Sequence, residues 1–235
     1  MAGLSLLSAQ GLTRHFDGLR AVDGVDFDLA PGEIHALIGP NGAGKTTFVS
    51  LLSGRIAAQS GKITLEGRDI TRLPAHARVR RGIAYTFQIT SVYARLSLLD
   101  NVLLAAQHFP GDAVAAALQS LGRVGLRDQA QEIAGNLSYG HQRLLEIAIG
   151  LALRPKVLIL DEPTQGLSDG EIENFKVLVR GLVPETAVLL IEHNMEVVMD
   201  LADRVTVLTF GRRLATGTPS EIRANPAVQA AYLGA

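Results

Sequence analysis

The sequence predicts an α/β fold with a mostly parallel central sheet that is interrupted by a helical insert. Unbroken apolar runs at 157–160 and 188–191 are typical of strands buried on both faces, as in a parallel sheet with helices on each side. A third apolar run, 34–38, leads directly into a glycine-rich segment, which indicates a strand–loop–helix unit. Between about residues 91 and 152 the apolar residues recur at helical spacing instead, which indicates the insert.

The remaining strands are predicted from alternation and turn residues. Residues 25–29 alternate between apolar and polar types before a Pro-Gly pair, and residues 62–65 alternate after a glycine. Residues 204–210 and 212–215 flank a single glycine and are predicted to form a hairpin that closes the sheet.

Three helices are predicted within the insert. The first begins after Ser97, the second covers 113–121, and the third covers 138–153 and ends at Arg154-Pro155, because proline cannot continue a helix. No glycine- or serine-rich linker separates the insert from the rest of the chain. We therefore expect a single domain over 1–235, with a core lobe at about 1–90 and 154–235 and a helical lobe at about 91–153.

Composition excludes several classes of protein. The chain has 235 residues, 47% of them apolar and 19% charged, so it can bury a large core. It contains no cysteine, which excludes disulfides, thiolate metal sites and a cysteine nucleophile. A net charge of −1 argues against a nucleic-acid binder that relies on a basic face, although Arg78, Arg80 and Arg81 form a local basic patch in sequence.

Neither a signal peptide nor a membrane span is predicted. Residues 1–10 lack a basic segment and a long apolar stretch, and no apolar run approaches the roughly 20 residues that a membrane span needs. We expect a soluble, cytoplasmic protein, which could still sit on a membrane protein.

The glycine-rich segment, called here the phosphate loop, satisfies the pattern G-x-x-x-x-G-K-[ST]: Gly39-Pro40-Asn41-Gly42-Ala43-Gly44-Lys45-Thr46. Small residues leave backbone amides free to point at phosphate oxygens, and the following helix, which includes Thr47, adds a partial positive charge. Lys45 is predicted to reach the β- and γ-phosphates of ATP, and the Thr46 hydroxyl to bind Mg²⁺.

Two carboxylates, Asp161 and Glu162, follow the apolar run 157–160. Parallel α/β sheets bind their ligands at the carboxyl ends of strands, so Asp161 is a candidate Mg²⁺ ligand and Glu162 a candidate for polarising an attacking water. Taken alone, the pair could equally be an ordinary acidic turn at the end of a strand.

A third segment, 136–143 (the signature segment), resembles the signature motif of ABC-type ATPases, usually written L-S-G-G-Q. The order of motifs is also theirs: the phosphate loop, a glutamine loop at Thr86-Phe87-Gln88, the signature segment, Asp161-Glu162, Gly166-Leu167-Ser168-Asp169 and His193. The chain thus resembles an ABC transporter nucleotide-binding subunit over nearly its whole length. Tyr139 and His141 depart from the usual signature.

This resemblance implies a P-loop (RecA-like) ATPase core with an N-terminal antiparallel β subdomain and an inserted α-helical subdomain. Residues 86–88, 136–140, 191–195 and 231–234 resemble one ATP-binding subunit of the bacterial importers of hydrophobic, branched-chain amino acids. Urea and short-chain amide importers have closely similar subunits.

The resemblance also implies roles for individual residues. Phe16 would stack on adenine, with His15 as a weaker alternative, although Phe16 could instead be a buried core residue. Glu162 would be the general base or orient the water, and His193 would contact the γ-phosphate and hold Glu162 and the water in place. Gln88 would sense the γ-phosphate and Mg²⁺.

The family's active form is a head-to-tail pair. Ser138, as a helix N-cap, and the Gly140 amide would complete the ATP site of the opposite subunit, with Ser168 and Asp169 at the seam. The implied partners are a second ABC ATPase subunit (a heterodimer favoured, a homodimer possible), two transmembrane permease subunits and a periplasmic or extracellular substrate-binding protein, with no nucleic acid. Residues 95–101 and the surrounding helical lobe would form the permease docking face, at the cytoplasmic side of the plasma membrane.

Three alternatives remain open on the sequence. The first is transport of another cargo such as urea, amides or lipopolysaccharide. The second is a non-transport ABC ATPase of DNA repair or translation, which usually carries a second cassette or a long coiled-coil insert. The third is a different phosphate-loop enzyme such as a kinase, which would have no use for the signature segment.

Overall fold

A computed structural model describes residues 5–86, 92–183 and 185–233. Within these residues the strands form two sheets, a four-stranded antiparallel one in the order β2-β1-β4-β5 and a six-stranded one in the order β10-β9-β3-β8-β7-β6. The strands are β1 (Leu7–Phe16), β2 (Leu19–Leu29), β3 (Ile34–Ile38), β4 (Ser60–Leu65), β5 (Arg68–Asp69), β6 (Ile83–Tyr85), β7 (Val157–Asp161), β8 (Ala187–Ile191), β9 (Arg204–Thr209) and β10 (Arg212–Gly217).

Helices cover the sheets and build the insert. Their bounds are α1 (Lys45–Ser53), α2 (Ala75–Val79), α3 (Leu98–Ala106), α4 (Ala113–Arg123), α5 (Tyr139–Ala152), α6 (Asp169–Leu182), α7 (Met195–Leu201), α8 (Pro219–Ala224) and α9 (Pro226–Leu233). The predicted α/β class, with an antiparallel β subdomain and an inserted helical part, is confirmed.

The six-stranded sheet is parallel except at one edge. β6, β7, β8, β3 and β9 run parallel, and β10 pairs with β9 in the predicted antiparallel hairpin. All residues of β3, β7 and β8 are buried, which agrees with their unbroken apolar sequences. Since β7 and β8 are in register with Asp161 opposite Ile191, the residues that follow these two strands emerge side by side.

The insert shares its core with the central sheet. Leu98 of α3 and Leu145 of α5 belong to the same buried cluster as Leu158 and Leu160 of β7. The predicted N-cap at Ser138 is confirmed, because its hydroxyl accepts from the His141 amide at 3.3 Å. The first helix of the insert begins after Ser97 as predicted, and the Ser97 hydroxyl caps it by accepting from the Asp100 amide at 3.0 Å. This shared core ties the signature segment to the sheet that carries the phosphate loop.

The predicted basic patch is wrong for one of its three arginines. Arg78 is only 1% exposed, and its guanidinium donates to the carbonyls of Leu51 and Leu52 at 2.6 and 2.8 Å. It also donates to the carbonyls of Thr71 and Leu73. Arg78 therefore closes the C-terminal end of α1, where helical carbonyls lack intrahelical partners, and burial lowers its pKa to about 10.

Within the part of the chain that the structure describes, no helix combines the length and the apolar character needed to span a bilayer.

Candidate nucleotide site

The phosphate loop turns sharply between β3 and α1, and two glycines make the turn possible. Gly44 has φ +100°, and a side chain there would collide with the backbone carbonyl of Ala21. Gly39 lies just as tightly against the backbone of Leu208. The Gly211 amide donates to the Ala43 carbonyl at 3.0 Å, so the β9–β10 turn supports the loop from outside.

In the described part of the chain, the backbone amides in the first turn of α1 are not capped by a side chain and are therefore free to bind a ligand. Gly44 occupies the N-cap position and has no side chain to cap the helix, and the first turn carries no acidic residue in the described structure. Thr46 is exposed and Thr47 half-buried at this helix end. Unpaired amides at the positive end of a helix form a site for phosphate oxygens.

The Lys45 side chain folds back over the start of the phosphate loop. Its ammonium donates to the carbonyls of Gly39 at 2.7 Å and Pro40 at 3.1 Å. Burial lowers the pKa of Lys45, while the carboxylates of Glu162 and Asp161 oppose that shift. The lysine and the acidic pair thus belong to one electrostatic cluster.

Asp161 ends β7 as a buried carboxylate, 2% exposed. Tyr85, the last residue of β6, donates its hydroxyl to Asp161 Oδ2 at 2.6 Å. Burial raises the pKa of Asp161, and the hydrogen bond from Tyr85 acts in the opposite direction. This carboxylate and the Thr46 hydroxyl supply oxygen donors of the kind that Mg²⁺ prefers.

Glu162 and His193 are in direct polar contact. His193 Nε2 lies 2.8 Å from Glu162 Oε1. Glu162 has φ +50°, an uncommon conformation for a residue with a side chain, and its amide donates to the Ile191 carbonyl at 2.9 Å. The strand end turns abruptly there and brings the carboxylate into reach of the histidine that follows β8.

The signature segment is bound to the loop that follows the acidic pair. The Tyr139 ring packs against Gly166, and its hydroxyl accepts from Arg143 Nη2 at 2.8 Å. Gly140 is buried beside Glu171, whose carboxylate accepts from the Ser168 amide and hydroxyl at 2.8 Å each. The exposed residues Ser138, Tyr139 and His141 surround the N-terminal end of α5.

The predicted site residues are brought together only in part. Lys45, Asp161, Glu162 and His193 converge, whereas no described contact joins Ser138 or Gly140 to the phosphate loop of the same chain. The predicted Gln88 lies outside the described residues.

The candidate adenine-stacking residue lies at the end of β1. Phe16 is 38% exposed, so the alternative of a buried core phenylalanine is wrong. The guanidinium of Arg14 lies 4.7 Å from the centroid of its ring. His15, the weaker alternative, lies with Nε2 3.5 Å from Asp23 Oδ1.

Sequence reasoning missed two residues of the site, Tyr85 and Glu192. Glu192 is buried and directly precedes His193. An acidic residue at the end of an unbroken apolar strand was the signal available for Glu192, and it is the same signal that marked Asp161. Tyr85 had none, because its strand is only three residues long.

A phosphate loop facing a buried carboxylate and a Glu–His pair defines a nucleoside-triphosphate hydrolase. A family model described as ABC transporter matches residues 22–165, and one described as branched-chain amino acid ATP-binding cassette transporter matches residues 212–235.

Relatives and solved structures agree with these matches. The chain is 40% identical to BraF of Pseudomonas aeruginosa and 41% identical to LivG of Escherichia coli, each a high-affinity branched-chain amino acid transport ATP-binding protein. Both matches cover 97% of this chain and 98% of the relative. The ADP conformation of MJ1267, an ATP-binding cassette of an ABC transporter, superposes with a TM-score of 0.91 at 26% identity, over 98% of this chain and 99% of that one. The chain belongs to the ABC transporter family and is an ATP-binding, ATP-hydrolysing subunit.

Proposed function

We propose that this chain powers an importer of branched-chain and other hydrophobic amino acids by binding and hydrolysing ATP. The observation that carries the proposal is its identity of about 40% with branched-chain amino acid transport subunits over 97% of its length. The C-terminal match at residues 212–235 supports the same cargo. We treat the chain as one ATPase domain with the core and helical lobes described above.

ATP would lie along the phosphate loop, with adenine on Phe16 and the phosphates at the α1 amides and the Lys45 ammonium. Glu162 would orient the attacking water or accept its proton, and His193 would hold Glu162 through the 2.8 Å contact and contact the γ-phosphate. The Thr46 hydroxyl and the Asp161 carboxylate would hold Mg²⁺, which would neutralise charge on the β- and γ-phosphates. Gln88 would complete this shell.

The signature segment would serve a second subunit. Ser138 is exposed at the N-terminal end of α5, a 14-residue helix, and so can meet phosphate oxygens from outside the chain. ATP would therefore lie between the phosphate loop of one subunit and Ser138 and Gly140 of another, with Ser168 and Asp169 at the seam. We favour a related ATP-binding subunit as the partner, with a second copy as the alternative.

A groove of about 260 Å³ offers a docking place for a permease. Mostly apolar, it lies between α2 and β6 of the core and α5 of the insert, and its lining includes Val79, Ile83, Ile149 and Leu153. Asn101, part of the predicted docking face, is buried, and its side-chain amide pairs with the backbone of Tyr93 and Ser97. Asn101 therefore stabilises the backbone of the predicted docking face and does not itself present a side chain to a partner.

Side-chain contacts run from this groove to the signature segment. Glu146 lines the groove and pairs with Arg143 at 2.9 Å, and Arg143 donates to the Tyr139 hydroxyl. Tyr139 in turn packs on Gly166. A permease helix in the groove would thus be coupled to the pair interface. We propose that the subunit binds its permeases at the cytoplasmic face of the membrane.

The test is reconstitution of this chain with candidate permease subunits and a candidate substrate-binding protein from the same organism. Leucine should stimulate ATP hydrolysis and drive uptake into proteoliposomes, and a Lys45→Ala complex should do neither. Stimulation by urea or a short-chain amide in place of leucine would overturn the cargo. ATP turnover that no binding-protein cargo stimulates would overturn the import function.

A further inference from the structure

Glu192 is a buried carboxylate that the mechanism above does not use. It directly follows β8 and is 3% exposed. Its Oε1 accepts from the Thr164 amide at 3.0 Å and the Thr164 hydroxyl at 2.6 Å. Its Oε2 accepts from the amides of His193 at 3.0 Å and Asn194 at 3.2 Å.

These four hydrogen bonds join the two segments that carry the Glu–His pair. Thr164 is two residues beyond Glu162, and His193 is the neighbour of Glu192 in sequence. The strand pairing between β7 and β8 ends at Asp161 and Ile191, and one further backbone bond joins Glu162 to Ile191. Beyond that point the Glu192 carboxylate connects the two turns through its hydrogen bonds to Thr164 on one side and to His193 and Asn194 on the other.

The turn that carries His193 is fixed on its far side as well. The Asn194 side chain accepts from the amides of Glu196 and Val197 and so caps α7. His193 is thus held between a helix cap and the Glu192 carboxylate. Because the backbone on both sides of His193 is fixed, the imidazole can move away from Glu162 only by rotation of its own side chain.

We propose that Glu192 is a positioning residue for ATP hydrolysis. It acts through His193 and Thr164 and keeps the His193 imidazole at hydrogen-bonding distance from the Glu162 carboxylate. Four donors converge on Glu192, which suits a carboxylate because both of its oxygens only accept. A glutamine would turn its NH₂ group toward one pair of those donors and release one of the two turns.

The competing explanation is that Glu192 only stabilises the fold, and Glu33 provides a matched control for it. Glu33 is also buried, accepts from the Ala30 amide at 2.6 Å and from Arg204 at 2.8 Å, and directly precedes β3. It therefore lies at the amino end of the parallel strands, away from the site. Glu33→Gln should lower the melting temperature and leave kcat within about twofold of the wild type.

The experiment compares steady-state ATPase activity of Glu192→Gln, Glu192→Asp and Glu33→Gln, with the folded fraction taken from circular dichroism. Glu192→Gln should lower kcat about tenfold or more while KM for ATP stays within about threefold. The shorter acid in Glu192→Asp should restore part of kcat. A Glu192→Gln variant with wild-type kcat would overturn the proposal.

A double-mutant comparison separates positioning from a general effect. If Glu192 acts through His193, Glu192→Gln should cause little further loss of kcat in a His193→Ala background. Losses that multiply in the double variant would contradict the proposal. If Glu192→Gln does not fold, Thr164→Val, which removes only the hydroxyl donor, should lower kcat several-fold and Thr164→Ser should restore it. Wild-type kcat in Thr164→Val would then count against the bridge.

Discussion

Tyr85→Phe removes one hydroxyl from the candidate metal site and leaves the tyrosine ring in place. That hydroxyl donates to Asp161 at 2.6 Å, and Asp161 is 2% exposed, so water cannot readily replace the donor. The ring lies 5.0 Å from the Arg55 guanidinium, a contact that phenylalanine keeps. The hydroxyl also forms a hydrogen bond with the Arg55 side chain, so the substitution removes both polar contacts of this one atom and keeps the ring.

A hydrogen bond to a charged group contributes roughly 1.5–3 kcal/mol. For a chain of this length, where about 1 kcal/mol changes the melting temperature by about 2–4 °C, the variant should melt about 3–12 °C lower at pH 7.5. Burial raises the pKa of Asp161 and the Tyr85 hydrogen bond lowers it, so the variant raises that pKa further. A carboxyl group whose pKa is higher in the folded than in the unfolded state destabilises the fold when it is ionised. The loss of stability in Tyr85→Phe relative to the wild type should therefore be larger at pH 7.5 than at pH 4.5.

The raised pKa of Asp161 should also affect catalysis, since the ionised Asp161 is the proposed Mg²⁺ ligand. The acid limb of the ATPase pH profile should move to higher pH in Tyr85→Phe, and more Mg²⁺ should be needed for half-maximal activity. The control is Tyr93→Phe, because Tyr93 is 63% exposed. A Tyr85→Phe protein with the wild-type melting temperature and pH profile would refute this reasoning.

Three further predictions concern single residues. Asp161→Asn should raise the melting temperature at neutral pH, because it removes a charge that burial disfavours, and should abolish Mg²⁺-dependent turnover; calorimetry that shows a lower melting temperature would contradict this. Arg78→Met should cost about 3 kcal/mol or more of unfolding free energy in urea titrations, because four carbonyls lose the Arg78 donor and two of them, Leu51 and Leu52, are in buried contacts; a loss below about 1 kcal/mol would refute the capping role. Lys45→Ala should lose most of its affinity for ATP in titration calorimetry, and unchanged affinity would exclude the phosphate-loop assignment.

The parts of the fold that the sequence predicts best have a strong local signal. β3, β7 and β8 are unbroken apolar runs, and the phosphate loop has a fixed spacing of glycines and lysine. The third helix of the insert ends within a residue of its predicted end, because Pro155 stops it. Each of these signals lies within one short segment, so it can be recognised from the amino-acid sequence without knowing which distant segments pair.

Other features depend on pairing between distant segments. β1 has register shifts around Gly11, which break the alternation that marks a strand, and β6 has only three residues. Tyr85 reaches Asp161 only because β6 pairs with β7, 76 residues further along the chain. Arg78 was misplaced for a related reason: a cluster of arginines indicates a charged surface, and only the packing of α2 against α1 reveals four carbonyls that need a donor.

The central claim is that the phosphate loop forms half of an ATP site that Ser138 and Gly140 of another subunit complete. Sedimentation velocity of Glu162→Gln with its partner ATP-binding subunit, or alone if the pair is homomeric, tests it most directly. Mg²⁺-ATP should convert separate subunits into a stable pair, ADP should not, and adding Ser138→Arg should prevent pairing. A Glu162→Gln protein that stays unpaired with Mg²⁺-ATP and still hydrolyses it at the wild-type rate would contradict the claim.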